Sequence, residues 1–277
     1  MCLIAFAIDA APGVPLLVAA NRDEYWARPT AALHRWALDD GTPVIGGRDL
    51  REGGTWLGLS PAGRIAWLTN VRQPGAERRG RSRGELVARW LQSGADSTGF
   101  IDTLDPAAYA GFNLVVGDLR RGEWAWIGNR HPDAPHAEQA PERHWRAIGP
   151  GVHTLSNATL NTPWPKARRL AQALGEALGE ALHAGDETPP PLGGALIDTT
   201  LASDAELPRT GVPDAVERVL SSPFVHWPDH AYGTRCSTVL RWGADGELRI
   251  DEWTHDGASA TPALSERAHR RERIRVS

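Results

Sequence analysis

Met1-Cys2-Leu3-Ile4-Ala5-Phe6-Ala7-Ile8-Asp9 opens the chain. Leu3 to Ile8 is a short, unbroken apolar run closed by Asp9, and it reads as a buried β-strand. No basic stretch precedes it, and it is too short for the apolar region of an export signal or for a membrane span. Cys2 therefore falls on the first residue of a core strand, held still by the apolar residues behind it. Ala11-Pro12-Gly13 then signals a hairpin turn, and Leu16 to Ala20 reads as the returning strand.

Further strands are predicted near 64–69, 112–117, 123–128, 152–156, 235–242 and 247–253. The last two are joined by the turn Gly243-Ala244-Asp245-Gly246. Helices fall between these strands. Gly84–Gln92 is short and amphipathic. Pro163–His183 is the clearest, with Thr162 as its cap and Pro163 and Pro165 in its first turn. Leu170, Leu174, Leu178 and Leu182 give that helix one apolar stripe, and Gly185 gives it a stop. Pro213–Leu220 is a further helix, and the Pro- and Gly-rich Glu187–Gly194 reads as a surface connection. Strand blocks and helix blocks are segregated, which predicts an α+β layered fold rather than a doubly wound parallel sheet. No repeat or linker divides the chain, so residues 1–277 read as a single domain.

Bulk properties narrow the function. At 277 residues the chain can bury a large core. Its net charge of −4 argues against nucleic-acid binding. Cys2 and Cys236 are its only cysteines, so there is no disulfide framework and no cysteine-rich zinc module. With no export signal, the expected compartment is the reducing cytoplasm, with both thiols free. Most of the 12 tryptophans should be core or pocket wall, since the ring is large and apolar.

The chemistry begins at Cys2. Removal of Met1 would put an α-amine on the residue that carries the thiol. Such an amine has a pKa of about 7.7–8.0, which suits a general base near neutral pH. One residue would then hold both nucleophile and base. The second apolar run ends in Asn21-Arg22-Asp23-Glu24, beside that first strand. Arg22 could keep the site electropositive and Asp23 could orient the new ammonium. A solvated turn with a local ion pair fits the same four residues.

"NRDE" behind an N-terminal Met-Cys resembles the NRDE family, also called the transport and Golgi organisation family. Gly46-Gly47-Arg48-Asp49-Leu50, Gly53-Gly54-Thr55-Trp56-Leu57-Gly58 and Leu68-Thr69-Asn70-Val71-Arg72 resemble further blocks of it. So do Ser82-Arg83-Gly84-Glu85-Leu86-Val87, Gly111-Phe112-Asn113-Leu114, Leu155-Ser156-Asn157 and Gly233-Thr234-Arg235. The likeness spans nearly the whole chain. That family is similar in sequence pattern to N-terminal-nucleophile hydrolases of the penicillin and bile-salt acylase type. The resemblance implies an αββα sandwich, with two stacked antiparallel sheets between helical layers.

It also implies a site. Cys2 would be the nucleophile, Arg22 and Asp23 the site arginine and aspartate, and Arg235 a late arginine reaching back to the thiol. Asn70 and Asn157 would bind the α-amine or the oxyanion; both also suit strand-end turns. Asn21, Trp56 and Trp67 are expected at the substrate. The implied reaction is cleavage of a linear amide through an acyl-enzyme on Cys2, with no cofactor and no metal. The family's association with membrane trafficking and with haem or lipid handling implies a second reading. In it the same scaffold is a non-catalytic carrier of haem or an acyl-CoA-type lipid, without stable membrane insertion.

Other polar clusters carry less. His226-Trp227-Pro228-Asp229-His230 spaces two histidines four apart, but Pro228 opposes a helix and no third metal ligand is evident. His34, His226 or His230 could serve a haem axially, with nothing to select among them. Arg78, Arg79, Arg81 and Arg83 crowd one loop, and Arg267, Arg270, Arg271, Arg273 and Arg275 crowd the C-terminus. Both groups read as solvated surface, although the loop could also hold an anionic group. Cys236 directly follows Arg235 and would neighbour Cys2 if that strand came close.

Overall fold

The computed structural model describes residues 2–75, 80–181, 189–257 and 262–276. The expected opening hairpin forms β1 (Cys2–Ala11) and β2 (Val14–Tyr25). Then come β3 (Thr30–Ala37), β4 (Pro43–Asp49), β5 (Leu57–Leu59) and β6 (Arg64–Asn70). Helices α1 (Gly84–Gln92) and α2 (Ser97–Asp102) precede β7 (Phe112–Asp118), β8 (Glu123–Gly128), β9 (His144–Ala147) and β10 (Gly151–Leu155). Helices α3 (Pro165–Ala181), α4 (Pro190–Leu196) and α5 (Asp214–Val219) follow. The chain closes with β11 (His226–Trp227), β12 (Tyr232–Trp242), β13 (Glu247–Thr254) and β14 (His269–Arg275).

These strands make two antiparallel sheets. One runs β10-β1-β2-β12-β13-β14, with β11 added on β12; the other runs β3-β4-β5-β6-β7-β8-β9. The sheets stack through Ile4, Phe6, Ile8, Leu16, Val18, Leu59, Ile65 and Trp67. On the far side of the first sheet, Leu3, Ala5, Ala7, Leu17 and Ala19 pack under Leu170, Leu174 and Leu178 of α3 and Leu192 and Leu196 of α4. On the far side of the second, Ala66, Leu68, Leu114 and Val116 pack under α1 and α2. The fold is therefore an αββα sandwich. It also explains the unbroken apolar run at 3–8: both faces of β1 are covered, so no polar alternation survives.

Three local readings change. Glu187–Gly194 is not simply a connection: Pro190–Leu196 is helix α4, and Leu192 is fully buried. Its prolines sit in the first turn, where a helix tolerates them. Of the C-terminal arginines, Arg270, Arg271, Arg273 and Arg275 belong to β14, an edge strand paired with β13 over Glu247–Trp253. The long helix begins at Pro165 rather than Pro163, because Thr162 bonds back to Thr159 instead of capping it. Its expected end at Leu182–Gly185 lies outside the described residues. Among the described residues, no helix is long and apolar enough to cross a membrane.

Candidate active site

Backbone register places the first elements of the site. Cys2 pairs with Arg22 on β2, and Arg22 pairs on its other side with Cys236 on β12. The three side chains form one row on the inter-sheet face, continuing that of Ile4 and Val18. The row opens into a cavity of about 360 Å³ at the end of the sandwich. Cys2, Arg22, Asp23, Asn70 and Trp56 all border it. The Arg22 guanidinium lies 4.2 Å from the centre of the Trp56 ring and 3.9 Å from Glu24.

Burial pushes the Cys2 thiol up, with the Asp23 carboxylate adding to that effect; Arg22 and a hydrogen bond from the Asp23 backbone N–H oppose it. A thiol held this way is mainly protonated at neutral pH. Cys236 is buried and pushed well above the ordinary thiol range by burial, then by Glu252. Two strand spacings, about 10 Å, separate it from Cys2, too far for a disulfide.

The opposite wall comes from the second sheet. Asn70 ends β6 of that sheet, and Asn157, which holds it, follows β10 of the first. The fully buried Asn157 side chain donates to both the carbonyl and Oδ1 of Asn70. This fixes the Asn70 amide with its oxygen turned back and Nδ2 as its remaining donor at the cavity wall. Ser156 Oγ donates to the Cys2 carbonyl at 3.2 Å, tying the first strand to the same turn. The floor is set by a close backbone approach. A Cβ on Gly54 would lie 2.5 Å from the carbonyl carbon of Gly84, so glycine lets the β4–β5 turn touch the start of α1.

Asp23 sends its carboxylate through the sheet to the α3 side, where Thr234 Oγ1 donates to Oδ1 at 2.7 Å. Burial raises its proton affinity, and Lys166 of α3 opposes that. Asn21 lies on the same far face. Its Nδ2 donates to the carbonyls of Leu196 and Pro223, and its Oδ1 accepts from Ser237. It pins α4 to the sheet and is not at the cavity, contrary to expectation. Trp67 is fully buried against Phe6 in the inter-sheet core and likewise leaves the cavity wall to Trp56.

Arg235 is also redirected. Thr234 pairs with Asp23 and Cys236 with Arg22, which makes Arg235 the extra residue of a β-bulge. Its Nη1 donates to the carbonyls of Tyr25, Trp26 and Arg28, holding the β2–β3 turn at the cavity rim rather than reaching the thiol. His34, His226 and His230 do not border the cavity. Arg78 and Arg79 lie outside the described residues.

Two site groups were not assigned from the sequence. Asp49 takes Arg28 Nε at 2.9 Å and the backbone N–H groups of Arg51 and Glu52, so it shapes the rim. Its signal was the Gly46–Leu50 block, which carried no assigned role. Lys166 had a compositional signal instead: it is the only lysine in the chain.

The fold and site define a class: an αββα sandwich with a cysteine at position 2 facing a polar cavity. The sequence model of Transport and Golgi organisation 2 matches residues 1–257. The Bos taurus Transport and Golgi organization protein 2 homolog is 36% identical over 281 residues, covering 94% of this chain and 95% of that protein. The Homo sapiens homolog is 33% identical over 273 residues, covering 91% and 92%. The chain belongs to the Transport and Golgi organisation 2 family. Among solved structures, the Caenorhabditis elegans N-acylethanolamine-hydrolyzing acid amidase ortholog aligns with a TM-score of 0.43 at 13% identity, covering 80% of this chain and 98% of that one. The mutant C2A conjugated bile acid hydrolase from Clostridium perfringens aligns with a TM-score of 0.45 at 9% identity, covering 99% and 97%.

Proposed function

We propose that the chain, once Met1 is removed, is an N-terminal-nucleophile cysteine hydrolase that cleaves a linear amide. The observation that carries this reading is that Cys2, paired with Arg22, borders the same cavity as Asn70. In the reaction, the α-amine of Cys2 takes the thiol proton as Sγ attacks the amide carbonyl carbon. The carbonyl π electrons move to oxygen, and Asn70 Nδ2 stabilises that oxyanion. Collapse of the intermediate breaks the C–N bond, and the leaving amine takes the proton back from the α-ammonium. Water, deprotonated by the same amine, then attacks the thioester and frees the acid, and the thiolate regains its proton. The free thiols of Cys2 and Cys236 suit the cytoplasm as the place for this chemistry.

Iodoacetamide tests the reading. It should label Cys2 one-to-one at neutral pH in the Met-processed protein, and Cys2→Ala should remove that label and all turnover. A processed protein whose Cys2 resists labelling contradicts it.

A second reading rests on one different observation. Five guanidinium groups border the cavity among the described residues: Arg22, Arg28, Arg51, Arg81 and Arg83, with Trp56 and Leu68 beside them. That mixture suits an anionic amphiphile such as haem or an acyl-CoA-type lipid held without cleavage. Here a haem Soret shift or saturable lipid binding would survive Cys2→Ala. No binding at micromolar ligand would remove this reading.

A further inference from the structure

Every basic side chain of this protein except Lys166 is an arginine or a histidine. Lys166 is the second residue of α3 and is only 2% exposed. Its Nζ has no hydrogen-bond partner among the described residues. Burying an ammonium with so little compensation is costly, and a methionine of similar length would avoid the cost. Burial lowers its pKa to about 8, with the Asp23 carboxylate resisting the shift.

The groups around it narrow the explanation. Asp23 turns its carboxylate to the same side of the sheet from β2, and the charges of Arg72 just past β6 and Glu217 on α5 act on Lys166. The Cys2 thiol lies beyond the sheet, and Tyr232 on β12 acts on Asp23. Arg72 and Glu217 are ion-paired with each other. Arg22 and Glu24 sit at the cavity wall. The negative charge left for Lys166 is therefore that of Asp23, the residue expected to receive the terminal ammonium. An arginine would bring a fixed fork of five donors to a place that offers one carboxylate.

Resting on the thiol–amine mechanism, we infer that Lys166 is a positioning residue of the Cys2 centre. From the far side of the sheet, its ammonium acts through charge, without a hydrogen bond, on the same Asp23 carboxylate as the terminal amine, so the amine stays unprotonated and ready to take the thiol proton. Two cations that draw on one carboxylate each weaken the hold of the other. Lys166 thus acts on the base rather than touching substrate.

The test is a pH titration of the Cys2 α-nitrogen by NMR, in full-length protein labelled with 15N-cysteine. Lys166→Met removes the competing cation and should raise the amine midpoint by about one pH unit, a tenfold smaller free-base fraction at neutral pH. Lys166→Gln should shift it in the same direction and serves if the methionine variant does not fold. A purely structural lysine would leave the midpoint where it is. A processed chain whose midpoint stays unchanged in the folded variant overturns this inference and leaves the hydrolase reading intact. An amide signal at Cys2 in place of an amine overturns both.

Discussion

Asn157 gives its amide nitrogen to Asn70 twice, at 3.0 Å to the backbone carbonyl and 3.0 Å to Oδ1. One asparagine thereby orients the other, and the two sheets are joined at the cavity. In the proposed reaction, the donor for a developing oxyanion is then Asn70 Nδ2. Asn70→Ala should slow acylation of Cys2 by p-nitrophenyl acetate about 100- to 1000-fold, the usual loss for one such donor. Asn157→Ala should also slow it, because the Asn70 amide is then free to turn. Stopped-flow release of nitrophenolate checks both, and an Asn70→Ala rate within a fewfold of wild type contradicts the assignment.

Behind the cavity, Arg72 and Glu217 form an ion pair with side chains 4% and 1% exposed. Glu217 Oε1 also accepts from the Thr210 N–H at 2.9 Å. Removing either partner leaves a buried charge without compensation. Arg72→Met or Glu217→Gln should each cost about 3–5 kcal/mol in urea unfolding. The double variant Arg72→Met/Glu217→Leu should lose less than the sum of the two single changes.

His255 supplies a pH dependence. It lies against Phe224, with Nε2 3.0 Å from Ser237 Oγ. Burial lowers its pKa to about 4 from the ordinary 6.5. Between those values the unfolded chain binds the proton and the folded chain does not, so stability rises with pH across this window and is lost as pH falls from about 6.5 to 4. The loss at the acid end is about 2–3 kcal/mol. His255→Gln keeps a donor near Ser237 and should flatten that acid limb. Thermal melts from pH 4 to 7 measure it, and a variant with the same acid slope as wild type contradicts the role of His255.

Much of this was legible because apolar runs announce themselves. Leu3–Ile8 and Leu16–Ala20 gave the opening hairpin, and Leu170, Leu174 and Leu178 gave the face of α3 that seals the first sheet. The strand β14 was not legible. It reads His269-Arg270-Arg271-Glu272-Arg273-Ile274-Arg275, and at an edge only Ile274 packs against the core. Helix α4 was hidden by Pro189, Pro190 and Pro191, which look like breakers until Leu192 and Leu196 find α3.

At the site, the four residues Asn21–Glu24 were read as one cluster. A strand turns successive side chains to opposite faces, so Arg22 at the cavity sends Asn21 and Asp23 to the other side. The family resemblance put Asp23 at the site and gave no face. Arg235 depends on a bulge in the β2–β12 pairing, which no local pattern announces.

The thiol–amine mechanism depends most on the state of the amino terminus, and intact mass measures it directly. It predicts a protein lighter than the 277-residue chain by one methionine residue, with Cys2 first. A homogeneous mass that retains Met1 would leave the Cys2 nitrogen in an amide, unable to accept a proton, and would contradict the mechanism.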